Sequence, residues 1–336
     1  MRRRKLTVSL RGCSFVLTPS KQLHTLQTIV QPSNEVSPLP TPATSDSTFS
    51  DQALTNDRVQ PIDPNNPVWG IGGALLIWLA SIVVQAVVPI FFVIPFALHR
   101  GLNLASPDFA RSALELAVTD RTGIFLQILS ILPTHLLILA LLWAFVTRFG
   151  KRPFLSSLGW GWSRQLRLWH SVALGIVLFA AATALANLLG TEKPTQLEQL
   201  INSSIAARYT IAALAVFTAP FVEEFVYRGV LYSALQRTIG VKAAVVFVLG
   251  LFTLIHVPQY WPNIGVISAV ALLSIVLTIV RAYTGRLLPC IVIHMTFNAV
   301  QAVILVVGPY AQRFLPPTDP TVPTISILSP LIRLLF

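Results

Sequence analysis

The stretch YTIAALAVFTAPFVEEFVYRGVLYSAL, residues 209–235, is long and apolar enough to cross a bilayer, yet it carries Glu223, Glu224 and Arg228 in its interior. Between Glu198 and Asp319 these two glutamates are the only carboxylates in the chain. Ionisable groups at membrane depth cost insertion free energy, so they face a bundle interior and need partners there. Helical neighbours lie three or four residues apart, which puts Glu224 at i,i+4 to Arg228 and lets the two neutralise each other. Glu223 stands about 100° round the helix from Glu224 and about 140° from Arg228, so it points toward another partner or a water.

Working outward, the 336 residues are 54% hydrophobic and 11% charged, against about 25% charged in an ordinary soluble domain. The expected fold is all-α: a polytopic membrane helical bundle preceded by a disordered tail. The net charge of +11 resides mainly in the N-terminal tail and in short loops between apolar runs, where topology and anionic headgroups account for it without nucleic acid. The two cysteines, Cys13 and Cys290, have no metal-ligand spacing.

Residues 1–66 are rich in Ser, Thr, Pro, Gln and Asn and are expected to be disordered. Their basic start lacks an acidic residue until Glu35, which fits an organellar transit peptide and equally a bacterial cytosolic tail. The transmembrane domain is expected over 67–336. Its apolar runs read as seven spans near 68–98, 123–147, 168–189, 209–235, 243–257, 264–280 and 287–308, and Thr321–Phe336 would be an eighth or an interfacial segment. With the N-terminus in the cytoplasm, the cytoplasmic loops hold Arg148, Lys151, Arg152, Arg164, Arg167, Arg237, Lys242, Arg281 and Arg286. The opposite side holds Arg100, Arg111, Arg121, Lys193, Arg208 and Arg313, so nine charges against six favour that orientation. Loop 149–167, with Trp160 and Trp162 and the adjoining Trp169, is expected to lie at headgroup level.

Two of the six histidines fall inside late spans, His256 and His294. Asn298 is at i,i+4 to His294, and Phe252 lies one turn before His256, where it would wall the ring from lipid. Counted back to Arg237, Lys242 and Arg286, the residues Glu223, His256 and His294 lie roughly 21, 21 and 12 Å from one side, compatible with a single buried pocket. His135 reads as a satisfied hydrogen-bonding residue, and His99 and His170 as interfacial. A desolvated carboxylate without a local partner suits general acid or base work, which makes Glu223 the reactive candidate and the Glu224–Arg228 pair its support.

Three motifs carry a resemblance. Glu223-Glu224-Phe225-Val226-Tyr227-Arg228 looks like E-E-x-x-x-R, Phe252-Thr253-Leu254-Ile255-His256 like F-x-x-x-H, and His294-Met295-Thr296-Phe297-Asn298 like H-x-x-x-N. In this order they resemble the CAAX-protease and bacteriocin-processing family, the intramembrane endopeptidases typified by the Ras-converting enzyme, over about residues 205–305. Tyr227 stands where that family commonly has Phe. The resemblance implies hydrolysis of a peptide bond in a membrane-associated, lipidated or prenylated protein or peptide. It implies that Glu223, helped by His256, activates water, that His294 and Asn298 stabilise the oxyanion, and that Glu224 and Arg228 support the first glutamate. A zinc ion on Glu223, His256 and His294 stays open, although H-E-x-x-H is absent; so does a metal-independent glutamate mechanism. Two other readings use the same residues: a non-enzymatic immunity or scaffold protein of this fold, and a proton-coupled transporter. No inverted repeat supports the transporter.

Overall fold

The computed structural model describes residues 63–191 and 193–311. Residues 1–62, Arg313 and Thr321–Phe336 lie outside them, so the expectations for the tail up to residue 62 and for an eighth segment concern residues not described; at its end the expectation of disorder is corrected, because Pro64 and Asn65 accept hydrogen bonds from the buried Arg281. Among the described residues every regular element is a helix: α1 (Ile71–Val87), α2 (Ile90–His99), α3 (Phe109–Thr119), α4 (Arg121–Thr147), α5 (Phe154–Ser157), α6 (Leu168–Leu189), α7 (Gln196–Asn202), α8 (Ile205–Phe217), α9 (Ala219–Glu224), a π-helical turn (Phe225–Leu231), α10 (Tyr232–Ile239), α11 (Val241–Tyr260), α12 (Ile264–Thr284) and α13 (Leu288–Ala311).

Among the described residues seven stretches are long and apolar enough to cross a membrane: Ile71–His99, Arg121–Thr147, Leu168–Leu189, Ile205–Ile239, Val241–Tyr260, Ile264–Thr284 and Leu288–Tyr310. They coincide with the seven expected spans, and the chain is a multi-pass integral membrane protein. Two of them are not single helices. The first breaks between α1 and α2 at Val88–Pro89, where proline offers no amide to the helix. The fourth comprises α8, α9, the π-turn and α10. It breaks at Thr218, whose φ of −123° leaves the helical region two residues before Pro220. The fifth and sixth are longer than their hydropathy suggested, because Pro258 sits within the final turn of α11 and Gly285 closes α12 in a left-handed conformation.

Hydropathy did not reveal α3 and α7. Helix α3 is amphipathic, burying Phe109, Ala113 and Ala117 at i,i+4 spacing against α2 and α4. Helix α4 begins at Asp120, whose Oδ1 accepts from the amides of Thr122 and Gly123 at 2.7 and 3.2 Å. Loop 149–167 divides its tryptophans. Trp162 and Trp169 are exposed, as a headgroup-level segment requires, but Trp160 turns inward onto Phe225 at 6.3 Å, and the neighbouring Leu158 is fully buried.

Missing methyl groups set the closest helix approaches. A Cβ on Gly175 would lie 2.7 Å from Thr296 Cβ, and one on Gly265 would collide with the Ala186 carbonyl and lie 2.6 Å from the Gly190 amide. Helix α6 thereby packs directly against α12 and α13. Gly265→Val should therefore destabilise the bundle by about 1–3 kcal/mol. Thermal unfolding in detergent checks this, with Gly308→Val, where no atom of the described residues lies within 4 Å of the added Cβ, as the neutral control.

Candidate active site

The two adjacent glutamates end α9, and the π-turn follows them directly. Such turns insert a residue into the helical repeat and recur at functional sites. Glu224 and Arg228 are both fully buried, with Arg228 Nη1 donating to Glu224 Oε1 at 3.0 Å. The rest of the guanidinium is satisfied by α12: Nε donates to Thr278 Oγ1 at 3.3 Å, and Nη2 to Ser274 O and Oγ at 3.0 and 3.1 Å. Its face covers the Phe252 ring at 4.7 Å. The pairing expected from i,i+4 spacing is thus present, and α12 completes it.

His294 joins the two glutamates, a connection that local spacing does not disclose. Its Nδ1 donates to Glu224 Oε1 at 2.9 Å, while its Nε2 lies 3.7 Å from Glu223 Oε2. One buried imidazole therefore sits between a carboxylate that is entirely enclosed and one whose side chain keeps 24% exposure. Among the described residues Glu224 Oε2 has no hydrogen-bond partner, and Oε1 carries both the arginine and the histidine.

His256 Nδ1 donates to the Phe252 carbonyl of its own helix at 2.7 Å. In the neutral ring that assigns the lone pair to Nε2. The ring stands between Phe252, centroids 4.5 Å apart, and Tyr260, stacked at 6.2 Å and 11°. Asn298 Nδ2 donates to the Ala215 carbonyl of α8 at 2.7 Å, which leaves its second N–H and its oxygen available. His135 Nδ1 meets Thr218 Oγ1 at 2.8 Å, a satisfied pair at the root of α9. His99 and His170 are exposed at helix ends.

Glu223, His256, His294 and Asn298 line one cavity of about 230 Å³, whose other walls are largely apolar. Gln259, Gln301, Tyr260 and Glu198 also line it and were not singled out from the sequence. Gln259 follows His256 by three residues and Gln301 follows Asn298 by three, so both lie on the helical faces already identified. Glu198 belongs to a capping box in which Thr195 N donates to Glu198 Oε2 at 2.5 Å and Glu198 N to Thr195 Oγ1 at 3.2 Å. That box starts α7, which packs on α8 and α11 and puts Leu197, Glu198 and Ile201 into the cavity wall.

Zinc would need three protein ligands converging within about 2.0–2.2 Å of one point. Among the described residues no three of His, Cys, Asp and Glu are placed to share an ion, although both histidines engage Nδ1 and keep Nε2, the nitrogen a metal would use. The donor set Glu223, His256 and His294 does not fit a zinc site in this arrangement.

No curated protein and no solved structure matches the chain. Residues 205–300 match the family described as Type II CAAX prenyl endopeptidase Rce1-like, a segment that runs from the start of α8 into α13 and contains all three motifs. The matched segment, which contributes the glutamates, histidines and asparagine gathered around one cavity, is similar to the Rce1-like family.

Proposed function

We propose that this protein is an intramembrane endopeptidase that hydrolyses a peptide bond in a membrane-associated substrate, with a prenylated CAAX protein or peptide as the substrate class, and that its N-terminus is cytoplasmic. The observation that carries the reading is the unequal exposure of the two glutamates around His294: Glu224 is sealed, and Glu223 opens into the cavity. In this mechanism the Glu223 carboxylate takes a proton from a water, whose oxygen attacks the scissile carbonyl carbon. His256 orients the water through Nε2. The negative charge developing on the carbonyl oxygen is met by the second amide N–H of Asn298 and by His294 Nε2 when it carries a proton. Glu223 then returns the proton to the leaving amine as the C–N bond breaks. Glu224 holds the His294 ring in one tautomer and orientation, as carboxylates do for other catalytic imidazoles.

The purified protein in lipid nanodiscs should cleave a farnesylated CAAX peptide; failure on this and on other prenylated or transmembrane peptides would remove the reading. No step of this mechanism passes through a metal. Cleavage should accordingly persist after metal stripping verified by elemental analysis, and loss of activity restored by Zn²⁺ alone would overturn the glutamate mechanism.

A further inference from the structure

Residues 63–69 close the stretch that composition marks as unstructured, together with the first residues beyond it, and yet they are built into the core. Arg281 of α12 is fully buried, and its guanidinium is met by neutral oxygens: Nη1 donates to Asn65 Oδ1 at 2.9 Å, Nη2 to Pro64 O at 3.2 Å, and Nε to the backbone carbonyl of Arg228 at 3.2 Å. Gln236 Nε2 donates to Asn65 O and Oδ1 at 3.2 and 3.3 Å. Four residues on, Trp69 is 7% exposed and its Nε1 donates to the Val230 carbonyl at 3.1 Å. The segment lies over two glycines: a Cβ on Gly159 would be 3.0 Å from Pro64 Cβ, and one on Gly285 would be 3.0 Å from Asn65 Nδ2.

The two carbonyls reached from outside, those of Arg228 and Val230, belong to the π-turn. That turn is irregular, and an irregular turn persists where its surroundings fix it. If it relaxed to α-helix, exchanging i→i+5 for i→i+4 bonding, the phase would shift by about one residue and α9 would rotate relative to α10 by about 100°, carrying Glu223 and Glu224 off the His294 ring. We infer that Asp63–Trp69 is a positioning element of the active site: Asn65 through Arg281, and Trp69 directly, hold the π-turn in the phase that keeps the two glutamates on either side of His294. Neither residue touches the cavity. Both act through the backbone of Arg228 and Val230, and the catalytic consequence rests on the protease reading above, whereas the effect on the turn does not.

Arg281 Nη1 ends on Asn65 Oδ1, and Gln236 Nε2 on both Oδ1 and the backbone O, so the side-chain acceptor can be kept or removed at nearly constant shape. The test uses the full chain in nanodiscs, comparing Asn65→Asp, Asn65→Leu and Trp69→Phe. Amide hydrogen exchange across residues 225–231 should be roughly tenfold faster in Asn65→Leu and Trp69→Phe, unchanged in Asn65→Asp, and unchanged in α3 in all three. On a cleaved peptide the first two variants should lower kcat by a similar factor at unaltered KM, with Asn65→Asp retaining activity. The inference is overturned if exchange in the π-turn is unmoved in both Leu and Phe variants, if it rises equally throughout the bundle, or if Asn65→Asp behaves like Asn65→Leu. Should Asn65→Leu fail to fold, Trp69→Phe decides by the same exchange reading. Absence of cleavage by the unsubstituted chain removes the protease reading, and the exchange pattern still decides this one.

Discussion

Glu223→Gln accumulates in membranes at the level of the unsubstituted chain and cleaves its substrate about 10²–10⁴-fold more slowly, the range expected when a positioned general base is removed. The substitution keeps the side chain's size and removes the proton acceptor. Because Glu223 is partly exposed to the cavity and its approach to His294 is 3.7 Å, longer than a hydrogen bond, little folding stability depends on its charge. The loss should fall on kcat with KM nearly constant, since the carboxylate engages the water and not the bound peptide. Equal kcat in Glu223→Gln and the unsubstituted chain, at equal protein level, would remove Glu223 from the chemistry.

Glu224→Gln shows the opposite balance. Glu224 Oε1 accepts from both Arg228 and His294 in a fully buried setting, and removing one partner of a buried charge pair costs about 3–5 kcal/mol because the remaining charge stays uncompensated. Folded yield should fall sharply, and the fraction that folds should also lose activity, because His294 loses the acceptor that fixes its ring. The double variant Glu224→Gln with Arg228→Met removes both charges and should recover much of the yield while activity stays low. Recovery of activity along with yield would show that Glu224 serves the fold alone and does not orient His294.

Much of the fold and of the site is legible in the sequence. Insertion cost and apolar length located the seven spans, and i,i+4 spacing paired Glu224 with Arg228 and set Glu223 apart. What spacing along one helix does not contain is a partner from another. Glu224 meets His294 across 70 positions and Arg281 meets the Arg228 carbonyl across 53, so the histidine bridge and the support of the π-turn come from tertiary packing. The break at Thr218 had a visible cause in Pro220, but within a strongly apolar run hydropathy outweighs a single proline. Its neighbours Arg164 and Arg167 point Trp160 to the membrane surface, whereas Phe225, which draws it inward, lies in the fourth span.

The contact between Asn65 and Arg281 spans 216 positions, which gives it a meaning in time as well as in space. During synthesis Asn65 precedes the first span described and Arg281 ends the sixth, so the early segment must wait beside the membrane until a late helix has been inserted. Arg281 in turn enters the bilayer with its charge unmet unless the segment is already at hand. His294 arrives later still, in the seventh span. A nascent chain therefore carries Glu223 into the membrane before the imidazole and the braced turn on which it would act are in place, and under the proposed mechanism hydrolytic competence comes only with the completed bundle.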